Sequence, residues 1–300
     1  TFYWPSSSSS GGGFDDPNSP DRGDVHYWEV WHGEKPFYEY RKHFFRYASE
    51  FGFQAYPHIK TVESFTLPED RNAFSYVMEK HQRNASANGK IMKYIAQTYL
   101  YPKDFDALVY TSQMLQADAI RYGVEHWRRN RGRCMGAIIW QLNDCWPVIS
   151  WASIDYYGRW KALHYAAKRF FAPVMLSALE EGPVTQKPDV NIELAVPIRQ
   201  SVTLTVPNET MQAQRVSIRW TRRKANSQMV ESGEGDLQVE ALSTASRPEI
   251  GLSAMDARRE YFTYELWQDG EQMSFGSVLL SPPKHFFFEN PKLRVYGSGD

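Results

Sequence analysis

The spacing of apolar residues changes period once along this 300-residue chain, near position 176, and that change restricts the fold more than any other feature. Before it, apolar positions recur at helical spacing. Phe105, Leu108, Val109, Leu115, Ala119, Ile120, Val124 and Trp127 share one face, which predicts a helix over about 104–128, stopped by Asn130-Arg-Gly132. Further helices are expected over 68–80, 90–100 and Arg159 to Phe171, and another opens at Pro36 with Phe37, Tyr40, Phe44 and Tyr47 along its stripe. Between them, Val25 to Trp31, Ala48 to Phe53 and Cys134 to Trp140 read as strands. Strands alternating with helices predict a parallel sheet.

After the switch, residues 190–196, 201–206, 216–220, 237–242, 261–267 and 273–280 alternate with period two. Short strands joined by polar turns predict an immunoglobulin-like β-sandwich. The expected fold class is therefore α/β followed by all-β. Residues 1–175 form the α/β part, 176–290 the sandwich, and 291–300 the start of a truncated further segment. Residues 6–24 are rich in Ser, Gly, Pro and Asp and are expected to form a flexible loop that is easily nicked. A closed (β/α)8 TIM barrel needs eight strands and about 250 residues. The three strands here suit the C-terminal portion of such a barrel, with the other strands on another polypeptide.

Several function classes are excluded. The net charge of −1 gives no electrostatic reason to expect nucleic acid or an acidic membrane surface as partner. Arg128, Arg129, Arg131 and Arg133 follow a helix, where the dipole favours cations. No apolar run reaches the roughly 18 residues of a membrane span. Cys134 and Cys145 flank a predicted strand, which at about 3.3 Å per residue holds them beyond bridging distance, so they are not expected to pair. Zinc-ligand spacing and a Gly-x-Gly-x-x-Gly turn after a strand are both missing, so no metal or cofactor is expected. Two sequons, Asn84-Ala-Ser86 and Asn208-Glu-Thr210, predict glycosylation and a secreted, lysosomal or vacuolar location. A start at Thr1 rather than Met is expected of a processed product.

The segment Ser49-Glu50-Phe51-Gly52-Phe53-Gln54 resembles the strand that carries the nucleophile in glycoside hydrolase family 2. Tyr3 to Ser7, Gly23 to Trp28, Val30 to Gly33, Gly89 to Met92, Tyr122 to Trp127, Gly136 to Pro147 and Asp155 to Lys161 are similar to the β-mannosidase branch, in order along the chain. The resemblance implies a retaining enzyme that removes terminal non-reducing β-mannose and needs no metal. It assigns the nucleophile to Glu50 and makes Trp140 the floor of the sugar site, with Trp28, Trp31 and His26 around it. Asp144 is the best placed of the other carboxylates, ahead of Glu29 and Glu63, for a hydrogen-bonding role.

The residue types fit that chemistry. A retaining glycosidase needs two carboxyls about 5–5.5 Å apart. Glu50 stands near the end of a predicted barrel strand, where barrel active sites are built, and Gly52 permits close approach of a backbone or ligand. A Glu after Ser on a strand is more ordinarily a surface residue, and an Asp after a strand more ordinarily caps a turn. In the resembled family the general acid is a Glu after Asn on an earlier strand. The chain's one Asn-Glu pair, Asn208-Glu209, falls in the sandwich. The acid is therefore expected from an N-terminal polypeptide of the same enzyme. The alternatives are another family 2 glycosidase, of β-glucuronidase or β-galactosidase type, or a carbohydrate-binding protein without catalysis.

Overall fold

The computed structural model describes residues 3–11, 16–181, 200–294 and 296. The strand expected over 190–196 lies outside them.

A three-stranded parallel sheet, in the order β1 (Val25–His26), β2 (Ala48–Phe51), β3 (Ala137–Ile139), carries the first part of the chain. Between β2 and β3 run α1 (Ile59–Glu63), α2 (Tyr76–Lys80), α3 (Ala87–Thr98) and α4 (Phe105–Arg129). α5 (Ala162–Phe170) follows β3 and packs along α4. The long helix forms where its stripe predicts. The Asp104 side chain caps it, accepting from the Ala107 N–H at 2.7 Å. Successive strand side chains point to opposite faces. On β2, Phe51 turns to the helices and meets Trp127 of α4 edge to face at 4.8 Å. Glu50 consequently points the other way.

Several elements are shorter than expected, for local reasons. The first strand ends at His26, and residues 29–33 form a turn. Phe37–Lys42 is a 3-10 helix. The helix over 68–80 is split, because the Ser75 hydroxyl donates to the Asp70 carbonyl at 2.6 Å and accepts from the Met78 N–H at 3.2 Å. Such side-chain bonds compete with the helix ladder and restart it at α2.

The second part contains β4 (Ser177–Glu181), β5 (Ser201–Pro207), β6 (Gln214–Lys224), β7 (Met229–Val239), β8 (Thr244–Ser246), β9 (Ile250–Gly251), β10 (Glu260–Gln268) and β11 (Glu271–Val278). They form two antiparallel sheets, β11-β10-β6-β7 and β4-β5-β8, with β9 also on β5. Their apolar faces enclose one cluster, including Val202, Leu204, Ile218, Phe262 and Leu266. A separate aromatic cluster fills the α/β part.

Buried charge joins the two parts. Glu180 of β4 accepts from Arg41 Nη2 at 2.7 Å and from the Tyr122 hydroxyl. Burial opposes its charge, but Arg41 and Tyr122 outweigh that and hold it below the usual carboxylate range. Burial pushes the neighbouring Glu125 up, against the pull of Arg121 and Arg129. Among the described residues no helix is long and apolar enough to cross a membrane.

Candidate active site

Glu50 sits on the middle strand with its carboxylate held from two sides. Trp28 Nε1 donates to Oε1 at 2.9 Å, and His26 Nδ1 lies 3.5 Å from Oε2. The parallel register makes this possible, since His26 stands opposite Glu50 and the Tyr27 N–H donates to the Glu50 carbonyl at 2.7 Å. The side chain keeps partial access to solvent.

Behind this pair lies a hub that sequence reasoning missed. The buried Asp24 carboxylate accepts from Trp4 Nε1 at 3.1 Å, the Ser9 N–H at 2.8 Å, the Ser7 hydroxyl at 2.5 Å and the Ser49 hydroxyl. Burial works against its charge, yet these hydrogen bonds together hold Asp24 below the ordinary carboxylate range. Ser7 Oγ also meets His26 Nε2 at 2.9 Å. Among the described residues of the segment expected to be a loose loop, Ser7 and Ser9 are bonded to Asp24, and Ser9, Ser10 and Ser19 are buried. Partners 15 to 25 residues apart leave no local spacing to read.

Gly52 behaves as expected. A Cβ there would collide with the Trp140 carbonyl and stand 3.0 Å from Trp151 and Trp28. This close approach brings the end of β3 against β2, where the Trp140 N–H donates to the Phe51 carbonyl at 2.8 Å. Trp140 is 44% exposed, an open indole at the C-terminal end of its strand.

Two expected site residues are placed differently. Trp31 is 0% exposed, so no ligand reaches it. It packs on Phe53 at 4.8 Å and on Trp151 at 6.4 Å, and Trp151 in turn meets Trp28 at 6.0 Å. Its influence on the site passes through those rings. Asp144 is 8% exposed, and both its oxygens are taken, by Ser150 Oγ at 2.8 Å and Gln141 Nε2 at 3.2 Å. Burial pushes its carboxyl up, against the pull of Lys161. Lys161 is buried and held down to about 8 by that burial, donating to the Ala55 and Ser150 carbonyls at 3.1 and 3.2 Å. Asp144 therefore braces the loop after β3. Glu63 lies near Arg71, at 3.7 Å, and Glu29 is exposed on the turn after β1.

The sequons also divide. Asn208 is 0% exposed. Its amide donates to the Gln212 and Glu240 carbonyls at 2.8 and 3.0 Å and accepts from the Thr210 hydroxyl at 2.7 Å. A glycan cannot be carried on a buried, fully engaged amide, so the expectation for Asn208 is corrected. Asn84 keeps solvent access. Cys134 and Cys145 are both free, as the strand between them predicts. Among the described residues no cluster of His, Cys, Asp and Glu could hold a metal ion. Two cavities of about 720 and 590 Å³ lie between α4 and the sandwich, and Glu50 lines neither.

Comparison with known proteins accounts for both parts of the chain. Residues 200–285 match the Mannosidase Ig/CBM-like domain. β-Mannosidase B of Aspergillus niger is 37% identical over 186 residues, which is 60% of this chain and 22% of the relative. The crystal structure of β-D-mannosidase from Dictyoglomus thermophilum superposes with a TM-score of 0.82 at 31% identity, covering 93% of this chain and 32% of that one. An exo-chitosanase from Amycolatopsis orientalis shares the fold, with a TM-score of 0.62 at 17% identity over 78% of this chain and 27% of that one. Both parts of the chain are thus similar to β-mannosidases, the second also through the Mannosidase Ig/CBM-like domain. The chain spans about a fifth of the length of the curated relatives, 22%.

Proposed function

We propose that this chain is the C-terminal part of a retaining β-mannosidase, with Glu50 as its nucleophile. The observation that carries the reading is the Glu50 carboxylate held by Trp28 and His26 on a strand flanked by the open indole of Trp140. A fixed, partly accessible carboxylate can attack an anomeric carbon, forming a carbon–oxygen bond as the glycosidic bond breaks. The leaving oxygen takes a proton from a second carboxyl. Water then hydrolyses the glycosyl ester, giving its proton back to that group. Trp140 offers an apolar face to the C–H face of a pyranose, and Trp28 shapes the site beside it.

The acid/base residue comes from an N-terminal polypeptide of the same enzyme. Glu209 is unsuited to the role, since it pairs with Arg131 at 3.2 Å and Arg128 at 3.8 Å beside the buried Asn208. β1 and β3 each pair only with β2 among the described residues, which leaves strand edges where the rest of a barrel can add. The Asn84 sequon supports passage through the secretory route.

The test is reconstitution. Mixed with the N-terminal part, the chain should hydrolyse a chromogenic β-mannoside, and Glu50→Gln should lower kcat by at least about a thousandfold while sugar binding persists. Robust hydrolysis by the 300-residue chain alone would refute the division of the site.

A further inference from the structure

We propose that the cleft between the two parts of the chain binds a neutral hexose, held by Glu125 and by the open ring of Phe288, apart from the Glu50 site. The proposal does not rest on the reading of Glu50, which only suggests D-mannose as the probe.

The cavities of about 720 and 590 Å³ share a wall, made by Asp118, Arg121 and Glu125 of α4 with Tyr261 of β10 and Ser277 of β11. Both fall in the range of about 300–1,000 Å³ typical of small-molecule sites, which form preferentially at domain interfaces. The smaller one is lined also by Ala178 and Glu180 of β4 and by the segment after β11, with Pro282, Phe286 and Phe288. That segment is pinned in place. Lys284 Nζ donates to the Ala96 carbonyl of α3 at 2.7 Å, Arg258 Nε to the His285 carbonyl at 3.1 Å, and the Phe287 N–H to the Arg258 carbonyl at 2.7 Å.

Buried polar groups are ordinarily hydrogen-bonded. In this lining Asp118 accepts from the Tyr99 hydroxyl at 2.5 Å, and Glu180 from Arg41 and Tyr122. Glu125 is the exception. Its side chain is 9% exposed, and it lines both cavities. Arg129 and Arg121 stand 3.6 and 3.8 Å from its oxygens, beyond hydrogen-bond length, and among the described residues no donor reaches them. Arg129 Nη2 and Arg41 Nε, on residues that line the smaller cavity, are buried without an acceptor. These groups call for a partner that both gives and accepts hydrogen bonds. A hydroxyl does both. It therefore matches Glu125 with the carboxyl ionised or protonated, and burial pushes that carboxyl up against the pull of Arg121 and Arg129. Arg41, Arg121 and Arg129 are matched in number by Asp118, Glu125 and Glu180, and Glu289 is exposed to solvent, so neither an anion nor a cation gains an advantage inside. Phe288 is 66% exposed, with Phe286 against it at 4.8 Å, and offers an apolar ring to a C–H face. A compact polyol with such a face is a hexopyranose.

Ligand-observed saturation-transfer spectra of D-mannose with the 300-residue chain test the assignment. Trp140→Ala weakens the sugar site beside Glu50, so the signal left in that variant reports the cleft; it should persist and saturate with sugar. Ser277→Trp fills the shared wall from an exposed position without altering a buried charge. Added to Trp140→Ala, it should lower the remaining affinity at least several-fold, with far-UV circular dichroism unchanged. Glu125→Gln keeps the hydrogen bonding and should hold the sugar within a few-fold, whereas Glu125→Leu should lose it; should Glu125→Leu fail to fold, Ser277→Trp decides. The absence of saturable signal in Trp140→Ala, with water alone filling the cleft, overturns the proposal. So does a signal untouched by Ser277→Trp, or displacement of the sugar by an equal concentration of sodium acetate, the mark of an anion site. If the cleft binds mannose as stated but the reconstituted enzyme does not hydrolyse a β-mannoside, the hydrolase reading fails and the second site stands.

Discussion

Asn208 in the sandwich and Glu50 in the parallel sheet are both polar residues embedded in β structure, yet they are treated in opposite ways. Asn208 donates to the carbonyls of Gln212 and Glu240, accepts from Thr210, and is wholly enclosed. Glu50 accepts from Trp28 Nε1 at one oxygen, has His26 Nδ1 at 3.5 Å from the other, and keeps part of its surface open. The difference follows from the two sheets. The sandwich closes its apolar faces on one another, so a polar side chain inside it must be satisfied locally. The three-stranded sheet has outer edges open among the described residues, and the face carrying Glu50 is lined by groups that orient a carboxylate without covering it.

The comparison can be broken or sharpened by mutation. The largest effect on stability is expected where the two parts meet. Glu180→Gln strands Arg41 and should cost about 3–5 kcal/mol, read by denaturant unfolding. Because the folded-state affinity of Glu180 for protons is depressed, its contribution is fully present above the ordinary carboxylate range and is lost as pH falls through its folded value. Glu125, pushed up, works in the opposite sense and gains as pH falls. Glu180→Gln should therefore flatten the acid limb of the stability profile, and an unchanged limb would contradict this account.

Asn208→Ala is next. It removes the amide donor to the Gln212 and Glu240 carbonyls and the acceptor of the Thr210 N–H and hydroxyl, and should lower stability by about 2–3 kcal/mol. Mass spectrometry of the chain from a glycosylating host should find Asn208 bare. Gly52→Ala drives a methyl into the Trp140 carbonyl and should cost about 2 kcal/mol while reducing reconstituted activity, since β2 and β3 must separate where Glu50 stands. The smallest effect belongs to the other sequon. Asn84→Gln should stay within about 0.5 kcal/mol of wild type and remove any glycan at that position. A large loss there would erase the contrast between the two asparagines.

Much of the architecture could be read from local pattern. The stripe of α4 and its Asp104 cap lie within a window of a few turns, and the alternation of β10 and β11 lies within one strand each. The strand that carries Glu50 and the close approach at Gly52 were legible because both lie within a few neighbouring residues. The same local reading overextended the helix before α2, where Ser75 bonds back to Asp70. It also gave no sign that Asp24 bonds Ser7 and Ser9 of the serine-rich segment, 17 and 15 residues away.

Sequence by itself determined the periods, and with them which segments become helix or strand and which faces are apolar, because those depend on neighbours along the chain. Tertiary structure alone decided that Trp31 is core, that Asp144 braces a loop, that Asn208 is sealed, and that Asp24 reaches Ser7, Ser49 and, through Ser7, His26. Each of those outcomes depends on which distant segment supplies the missing hydrogen-bond partner or covers the ring. Residues far apart in the chain leave no period when they meet in space.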